Sequence, residues 1–431
     1  MFGKEIFNNK KILIYGMGIS GNSCLKYLYK NNNVAVFDDN KNLQRRVTKK
    51  IFLNINNINK KKFDFIVISP GIDINKCKLK KYLLRNHKKI ITELDIFNLI
   101  FPNNLKITIT GTNGKSTTCQ MLYEIFKSNS VDVRLVGNIG NPPLLEKNIK
   151  KKTIFIIEAS SYQISYNKYF TSDHAAILNL NTDHLDRHGN IDKYARVKLK
   201  LLYTQNKNNH SYIEKNNPII NKNIIKSKIK SKIIKVINNK EKYFKKKIHN
   251  DYLLDKNNIN NIHFIYAICK KFKIPNNQIF NSLNNFKGLK FRKQIIYNKN
   301  NLKIINDSKS TSFSSTIGLL SSYKNVYWIV GGIYKKKDNF DLDKKYYKNI
   351  SAFIIGLKSN YFRQQFKNKI KFKYLKTLEK TILTIKKEIK QDKSFKTILF
   401  SPSAASFDQY KNFEERGKIF NKLVRKIILK K

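Results

Sequence analysis

A glycine-rich loop between a strand pattern and a helix pattern limits the possible folds of this chain more than any other feature. The run KITIT at residues 106–110 predicts a buried strand. Apolar residues recur at helical spacing further on, through Met121, Leu122 and Ile125. Between the two lie Gly111, Thr112, Asn113, Gly114, Lys115, Ser116 and Thr117. Such a loop directs backbone N–H groups and a lysine at phosphates, and its hydroxyls can bind Mg²⁺, so it predicts ATP binding.

Strand and helix patterns alternate through the rest of the chain. Residues 11–15 (KILIY) run into a glycine turn, and a second apolar run ends at Asp38. Later strand patterns lie at residues 303–306, 326–330, 352–356 and 397–400. Strands that alternate with helices form parallel sheets, so we predict an α/β fold of three domains. These are a Rossmann-like N-terminal domain, a central P-loop ATPase-type domain with a parallel sheet, and a Rossmann-like C-terminal domain.

The length of 431 residues fits three such domains. A linker pattern at residues 101–104 and a change of pattern near residue 288 suggest the boundaries. The expected domains are residues 1–104, 105–288 and 289–431. The segment 214–250 is rich in Lys, Asn and Ile, and its pattern predicts no element.

The chain is strongly basic, with 86 Lys and Arg residues, 29 Asp and Glu residues and a formal net charge of +57. Because basic surfaces attract phosphate backbones, a nucleic-acid-binding P-loop protein is one alternative. Lys is mixed with Asn and Ile throughout, however, which indicates compositional bias and not a binding face. No apolar run reaches the ~18 residues of a membrane span, and the N-terminus lacks a secretion pattern. We therefore expect a cytoplasmic protein with no nucleic-acid partner and no membrane span.

The first glycine turn has the spacing of a dinucleotide-binding turn. It contains Gly16, Gly18 and Gly21, and Asp38 ends the strand that follows. Alone this would indicate NAD, with Asp38 on the ribose hydroxyls. A turn that only packs a helix against a strand has the same glycines. A nucleotide or nucleotide-linked ligand is expected, and the turn does not say which.

Three residues after the phosphate loop are candidates for a metal site. Glu158 ends the apolar run TIFIIE, where a buried carboxylate is costly without a cation. His184 follows a strand predicted to end at Asn179, although a histidine there is often an ordinary loop residue. Lys198 has apolar residues at all helical neighbours three and four positions away, which separates it from a basic surface stripe. Glu158 and His184, which come from adjacent strand ends near the phosphate loop, together indicate Mg²⁺ binding.

Two polar turns follow strands of the third domain. They are residues 307–311 (DSKST) and residues 401–406 (SPSAAS). Helix capping by Ser, Thr or Asp explains both, and the two turns could equally form a carboxylate-binding surface.

The order of short motifs resembles the Mur ligases. GMGISG, SPG, TGTNGKSTT, GNIG, EASSYQ, NTDHLDRHG, YARVK, NDSKST and SPSAASFDQYKNFEERG follow one another over nearly the whole chain. The phosphate loop is the short kind of that family, with Ile109 in place of the first glycine of the standard P-loop. Within the family, the motifs are most similar to those of the branch that adds D-glutamate to UDP-N-acetylmuramoyl-L-alanine.

The resemblance implies an ATP-dependent acid–amino-acid ligase of peptidoglycan precursor synthesis. ATP would phosphorylate the terminal carboxylate of UDP-N-acetylmuramoyl-L-alanine, and the amine of D-glutamate would then attack the acyl phosphate. Two Mg²⁺ ions, a carbamylated Lys198 and a monomeric enzyme are implied as well. A Mur-type ligase for another amino acid is the nearest alternative.

The resemblance also assigns residues to each ligand. Catalysis is implied for Lys115, His184 and Lys198, and metal ligation for Ser116, Glu158, His184 and Lys198. ATP would contact Gly111, Thr112, Asn113, Gly114, Lys115, Ser116, Thr117, Asn258, Arg292 and Asp307. The UDP substrate would contact Ile19, Ser20, Asp38, Asn138 and Gln163. D-Glutamate would contact Lys309, Thr311, Lys335, Ser406 and Phe413.

The chain departs from the family pattern at a few positions. Asn40 stands where an Arg is common, and Asn257 and Phe291 each replace a His. The substrate lysine is placed at Lys335 in preference to Lys336. These changes bear on affinity more than on the type of reaction.

Overall fold

The computed structural model describes residues 5–40, 51–225, 229–254, 256–335, 338–392 and 394–429. The chain separates into two units, Met1–Phe286 and Lys287–Lys431. The first unit holds two parallel sheets and the second holds one sheet. The α/β class and the three sheets confirm the predicted architecture, while the boundaries at residues 104 and 288 stay predictions.

The N-terminal sheet contains four parallel strands in the order β2-β1-β3-β4. Its strands are β1 (Lys11–Tyr15), β2 (Asn33–Phe37), β3 (Phe65–Ile68) and β4 (Ile90–Ile91). Its helices are α1 (Ile19–Leu28), α2 (Ile55–Lys60), α3 (Lys80–Arg85) and α4 (Glu93–Ile100). The strands are apolar runs buried on both faces, as parallel strands between helices require.

The central sheet has six parallel strands in the order β10-β9-β8-β5-β7-β6. They are β5 (Lys106–Thr110), β6 (Val133–Gly137), β7 (Ile154–Glu158), β8 (His174–Ile177), β9 (His210–Glu214) and β10 (Lys232–Val236). The helices are α5 (Lys115–Ser128), α6 (Ser161–Ser165), α7 (Leu185–His188), α8 (Ile191–Tyr203), α9 (Pro218–Ile225), α10 (Glu241–Lys247), α11 (Lys256–Lys271) and α12 (Asn276–Asn284). Strand β8 ends two residues before the predicted Asn179, although the Leu178 N–H still donates to the Thr110 carbonyl of β5.

Strand β5 lies in the middle of this sheet and fixes where the site forms. Ile109 pairs with Glu158 of β7, and Thr110 pairs with Ile177 of β8. The connections after β5 and β8 leave in opposite directions, so a topological switch point lies between them. The phosphate loop, Glu158 and the segment that leads to His184 therefore begin at one edge of the sheet.

The second unit contains a mixed six-stranded sheet in the order β11-β12-β16-β13-β14-β15, in which β11 is antiparallel to β12. Its strands are β11 (Gln294–Lys299), β12 (Leu302–Asn306), β13 (Val326–Gly331), β14 (Ile350–Ile355), β15 (Lys371–Lys376) and β16 (Lys396–Phe400). Its helices are α13 (Phe313–Ser322), α14 (Ser359–Phe366), α15 (Leu378–Gln391) and α16 (Phe413–Ile427).

Short 3-10 helices cover Glu5–Phe7, Tyr29–Asn31, His87–Lys89, Pro143–Leu145, Asp251–Leu253 and Lys344–Asn349. Among the described residues, no helix combines the length and apolarity that crossing a membrane takes.

A buried carboxylate joins the two sheets of the first unit. Asp95 of α4 is fully buried. Its Oδ1 accepts the backbone N–H groups of Lys168, Tyr169 and Phe170 at 2.8, 2.7 and 3.0 Å. Its Oδ2 accepts the N–H and the hydroxyl of Thr92 at 2.9 and 3.0 Å, which caps α4. One side chain thus accepts hydrogen bonds from Thr92, at the start of α4, and from the segment just before β8 of the central sheet.

His174 makes the first unit sensitive to acid. The buried ring lies with Nδ1 3.0 Å from the Tyr212 hydroxyl and stacks on His210, with the ring centroids 5.0 Å apart. Burial, then the charges of His210 and Lys271, lowers the pKa of His174 from 6.5 to about 4. Below pH 6.5 the unfolded chain therefore binds a proton that the folded protein does not.

We expect this group to remove about 3 kcal/mol from the free energy of unfolding between pH 7 and pH 4, at about 1.4 kcal/mol per unit of pKa difference. The contribution is fully present above pH 6.5 and disappears as the pH approaches about 4. Urea unfolding of the wild type and His174→Gln across this range measures it. The exposed His249, changed to Gln, is the matched control. The same pH dependence in all three proteins would contradict the expectation.

Candidate active site

The phosphate loop connects β5 to α5 and depends on glycine. Gly111 and Gly114 have φ values of +155° and +83°, a region of the backbone that favours glycine. A Cβ at Gly114 would also lie 2.4 Å from Oδ1 of Asn261. Asn261, on α11, is a residue that the sequence analysis missed, since nothing local connects it to the loop.

Hydrogen bonds hold the loop against the end of β8. The Thr112 N–H donates to the Asn179 carbonyl at 3.0 Å, and the Asn113 N–H donates to Asn179 Oδ1 at 2.9 Å. The Lys115 ammonium folds over the loop and donates to the carbonyls of Gly111 and Thr112 at 2.9 and 2.8 Å. Ser116 and Thr117 occupy the first turn of α5 and are largely buried. The loop is therefore preformed, with a cation beside it.

Lys198 of α8 reaches the base of the same loop. Its ammonium donates to Oγ1 of Thr110 at 3.2 Å and to the Gly111 carbonyl at 2.9 Å. The side chain is only 1% exposed. Burial, with the nearby Lys115 cation, lowers the pKa of Lys198 well below 10.5. The prediction that Lys198 is not part of a basic stripe on the surface is confirmed.

Tyr194 accompanies Lys198 one turn earlier on α8. Its hydroxyl lies 3.2 Å from Oγ1 of Thr112, and the Lys198 nitrogen lies 4.8 Å from its ring centroid. In the sequence, Tyr194 is one of the apolar neighbours on the helix face of Lys198, and its contact with the phosphate loop was not predicted. Its spacing of four residues from Lys198 was the available signal.

Glu158 ends β7 beside the loop and is 1% exposed. Its Oε1 accepts the Asn138 amide at 2.8 Å. Its Oε2 is buried and, among the described residues, has no hydrogen-bond partner. A buried carboxylate oxygen of this kind calls for a donor or a cation. Asn138, which was expected on the UDP substrate, thus holds the carboxylate in this structure.

His184 lies at the start of α7 with a left-handed φ of +54°. Its Nδ1 is 3.2 Å from the Tyr162 hydroxyl, and its Nε2 is 3.4 Å from Oδ2 of Asp183. The charges of Asp183 and Glu158 both act on Lys198, which places these groups around one region. No group of three or more His, Cys, Asp or Glu side chains in the described part of the chain is arranged to hold a metal.

The first glycine turn is tight for steric reasons. Gly16 has a φ of +94°, and a Cβ at Gly21 would lie 1.8 Å from the Gly16 carbonyl oxygen. The Met17 N–H donates to Oδ2 of Asp38 at 2.6 Å, and the Asn40 N–H donates to its Oδ1 at 2.8 Å. Asp38 therefore orders the turn and the chain after β2.

The other residues of the first unit that were predicted to contact ligands lie on three different helices. Ile19, at the start of α1, is 79% exposed, and Ser20 follows it. Gln163 is buried, and its Oε1 accepts the Ser160 N–H in a capping box at the start of α6. Asn258 of α11 is buried and donates to the Tyr252 carbonyl at 2.7 Å. The side chain of Asn257 lies outside the described part of the chain, and these contacts stay predictions.

In the second unit, Asp307 follows β12 and is buried. Its carboxylate accepts the Ser401 hydroxyl at 2.9 Å and the Lys293 N–H at 3.1 Å. Burial raises the pKa of Asp307 to about 6. The two polar turns at residues 307–311 and 401–406 therefore meet.

Three residues predicted to contact D-glutamate, Lys309, Thr311 and Ser406, lie in those turns. The Lys309 ammonium lies 3.9 Å from the centre of the Phe413 ring. Ser406 is buried, and within the described residues its Oγ has no hydrogen-bond partner. Thr311 is half-buried and Lys335 is exposed, while Lys336 lies outside the described residues.

Arg416 is a buried cation that sequence reasoning missed, and Phe291 has a backbone conformation that it did not predict. Arg416 of α16 is 1% exposed and donates to the Ser308 hydroxyl and carbonyl at 3.1 and 2.7 Å. Burial lowers the pKa of Arg416 to about 10. Phe291 has a φ of +62°, and its ring lies where a Cβ at Gly417 would be 2.4 Å away. Arg292, a predicted ATP contact, is the next residue, so this departure from the family pattern lies directly beside it.

Two family models match the chain. The model of the Mur ligase middle domain matches residues 109–284, and the model of the Mur ligase MurD-like N-terminal domain matches residues 10–91. Among curated proteins, the UDP-N-acetylmuramoylalanine–D-glutamate ligase of Rickettsia prowazekii is 31% identical over 97% of this chain and 99% of its own. The enzyme of the same name from Buchnera aphidicola is 34% identical over 97% of this chain and 98% of its own.

Solved structures agree with the fold. The UDP-N-acetylmuramate–alanine ligase of Thermotoga maritima superposes with a TM-score of 0.57 at 13% identity, covering 97% of this chain and 100% of its own. The MurF ligase of Thermotoga maritima, solved in complex with ADP, gives a TM-score of 0.55 at 13% identity over 99% of this chain and 97% of its own.

Proposed function

The chain belongs to the Mur ligase family, and on this basis we propose that it joins D-glutamate to UDP-N-acetylmuramoyl-L-alanine, using ATP. The observation that carries the proposal is the end-to-end match to relatives named for this reaction, over 97% of this chain. The product is a peptidoglycan precursor. We infer a cytoplasmic enzyme, because ATP and a UDP-linked sugar are its substrates, and we expect it to act as a monomer.

The phosphate loop provides the ATP contacts. Backbone N–H groups at the start of α5 would bind the anionic phosphate oxygens of ATP. The Lys115 ammonium, which now donates to two loop carbonyls, would exchange them for β- and γ-phosphate oxygens. Phosphoryl transfer to a carboxylate depends on position and charge neutralisation more than on covalent help. Asn258, Arg292 and Asp307 are proposed as further ATP contacts from the family pattern.

The residues beside the loop fit Mg²⁺. Glu158 offers a buried oxygen that lacks a partner, Ser116 offers a hydroxyl, and His184 offers a ring nitrogen. Bound Mg²⁺ supplies positive charge against the phosphates of ATP and the developing acyl phosphate. We propose that Ser116, Glu158, His184 and a modified Lys198 hold two such ions.

The modification of Lys198 is a carbamate. Burial and the Lys115 cation favour the uncharged amine, which is the nucleophilic form. The amine nitrogen attacks the carbon of CO₂, one C–O π pair moves to oxygen, and the nitrogen loses a proton to solvent. The resulting anion offers oxygen ligands of the kind that Mg²⁺ prefers.

The other substrates have separate contacts. Ile19, Ser20 and Asp38 lie at the first glycine turn, where α1 begins, and we propose that this turn holds the UDP part. We propose that Asn138 and Gln163 contact the muramoyl-alanine part. The amine of D-glutamate would then attack the acyl phosphate, releasing phosphate as the amide forms.

A panel of amino acids tests the proposal directly. Purified enzyme receives ATP, Mg²⁺, UDP-N-acetylmuramoyl-L-alanine and one amino acid at a time, and phosphate release is measured. We expect release with D-glutamate and little with L-glutamate, L-lysine or diaminopimelate. Release with another amino acid in place of D-glutamate would make the chain a sister ligase. Salt-sensitive DNA binding without any ligation would overturn the proposal.

The second unit provides the D-glutamate contacts, which are proposed to be Lys309, Thr311, Lys335, Ser406 and Phe413. We expect Lys309→Ala or Ser406→Ala to raise the KM for D-glutamate roughly tenfold or more, the cost of one hydrogen bond to a charged group. The Kd for ATP should stay unchanged, because neither Lys309 nor Ser406 is among the proposed ATP contacts. Lys324→Ala, an exposed lysine of the second unit, is the control. Unchanged D-glutamate kinetics in both variants would defeat the assignment.

A further inference from the structure

Tyr334 and Tyr361 form a stacked pair of rings in the second unit. Tyr334 lies in the loop after β13 and directly precedes Lys335, whereas Tyr361 lies on α14. Their ring centroids are 3.9 Å apart, and the ring planes are inclined by only 9°. Both tyrosines are half-buried, while Lys335 is exposed. The stack therefore attaches the chain just before Lys335 to helix α14.

The Tyr361 hydroxyl holds the chain on the other side of Lys335. It donates a hydrogen bond to the Asp338 carbonyl. The Asp338 N–H in turn donates to the Lys335 carbonyl at 3.3 Å. Burial raises the pKa of Tyr361, so the hydroxyl keeps its proton at neutral pH and can donate. One side chain thus contacts residues before and after Lys335.

Asp338 also connects this segment to the start of α13. Its Oδ2 accepts the Phe313 N–H at 2.7 Å, in the first turn of that helix. The Phe313 ring lies against Tyr361 as well, with the centroids 6.2 Å apart. Thr311 precedes Phe313 by two residues. The segments that carry Thr311 and Lys335, both proposed to contact D-glutamate, therefore meet at one tyrosine.

We propose that Tyr361 is a positioning residue for D-glutamate, whose ring and hydroxyl hold the backbone on both sides of Lys335 and so direct its ammonium to a substrate carboxylate. A lysine side chain loses much conformational freedom when it binds, and a backbone that is already fixed reduces the total loss. Tyr361 acts through Lys335 in this role and not by touching the substrate. The inference rests on the proposed function, in which Lys335 contacts D-glutamate.

Steady-state kinetics with D-glutamate as the varied substrate test this role. We expect Tyr361→Leu, which removes both the stack and the hydroxyl, to raise the KM for D-glutamate about tenfold, the combined effect of an aromatic pair and a hydrogen bond. Tyr361→Phe keeps the ring and should raise the KM only about threefold. The kcat at saturating D-glutamate and the Kd for ATP should stay nearly unchanged. A wild-type KM in Tyr361→Leu would overturn the inference.

Tyr323→Leu is the matched control for the loss of a tyrosine ring. Tyr323 is also half-buried, and it follows α13 at the end away from Phe313, where its carbonyl accepts the Asn349 amide at 2.7 Å. A loss of packing there should lower the stability of the unit without changing the KM for D-glutamate. An equal rise of the KM in Tyr323→Leu and Tyr361→Leu would show a general effect of packing and contradict the positioning role.

A double variant separates this inference from the function on which it rests. If Lys335→Ala leaves the KM for D-glutamate unchanged, Lys335 is not a contact and its proposed assignment fails. If Lys335→Ala raises the KM while Tyr361→Leu does not, only the role of Tyr361 fails. If each change raises the KM, adding Tyr361→Leu to Lys335→Ala should have no further effect, because the tyrosine acts through the lysine. Effects that multiply in the double variant would mean independent action and would also refute the inference.

Discussion

Replacing Lys198 by alanine should reduce ligation by roughly a thousandfold, the size of effect expected when a preorganised electrostatic contact to the reacting phosphoryl group is lost. Lys198 is the buried amine that touches Thr110 and Gly111 at the base of the phosphate loop. Its loss removes the proposed carbamate oxygens, whereas the loop itself remains. ATP should therefore still bind, and the defect should lie in kcat.

Chemical rescue distinguishes the carbamate from a lysine that merely packs. Formate or acetate can enter the cavity left by Lys198→Ala and place a carboxylate where the carbamate stood. We expect either acid to restore part of the activity, measured as phosphate release with all substrates present. Lys193→Ala, an exposed lysine on the same helix, is the control and should keep full activity with or without acid. Full activity of Lys198→Ala without added acid would refute the carbamate role.

Replacing Asp95 by alanine should lower the free energy of unfolding by about 4 kcal/mol, as expected when buried donors lose a charged partner. The carboxylate accepts five hydrogen bonds, three of them from the backbone of residues 168–170. Without it, these N–H groups stay buried with no acceptor. Urea unfolding followed by circular dichroism gives the difference.

A milder change and a surface control make the Asp95 result specific. Asp95→Asn keeps the shape but loses the charge and turns an NH₂ group towards donors, so we expect a loss between those of wild type and Asp95→Ala. Asp64 also accepts a backbone N–H, from Lys11 at 2.8 Å, but in an exposed position. Asp64→Ala should cost less than about 1 kcal/mol, because water replaces the lost acceptor. Equal losses at residues 64 and 95 would contradict the role of Asp95.

The elements that local patterns determine were predictable from the sequence. The strand, loop and helix around Gly114 follow from an apolar run, a glycine-rich stretch and helical spacing, which come one after another in the sequence. The burial of Lys198 also followed from its helix neighbours, because the residues on its face are apolar. Such features depend on interactions a few residues apart.

Strand β10 shows where local patterns fail. It lies in the Lys-, Asn- and Ile-rich segment 214–250 and has the sequence KIIKV, in which four of the five residues are partly or fully exposed. As the edge strand of the central sheet, β10 pairs only with β9. Too little of the strand is buried to require an alternation of apolar and polar residues. Its charged positions therefore resemble those of a solvated loop.

Contacts between residues that are distant in the sequence could not be predicted, for a different reason. Asp95 and Phe170, or Tyr162 and His184, are brought together by the pairing of strands and not by spacing along the chain. A capping residue such as Asp95 has an ordinary local role, which hides the long-range one. Only the folded structure shows that the same carboxylate also accepts the N–H groups of residues 168–170.

The central position of β5 has a consequence for how the protein is made. Its partners at Glu158 and Ile177 are synthesised roughly 50 and roughly 70 residues later, so the frame of the phosphate loop closes only through distant contacts, which form slowly. Asn179, which holds the loop by three hydrogen bonds, also comes after both pairings. A nascent chain that ends before Asn179 has the glycines and the lysine of the loop but not the strands that shape it. Nucleotide affinity should therefore emerge late in synthesis, when the sheet closes, and from that moment ATP itself adds to the stability of the folded state.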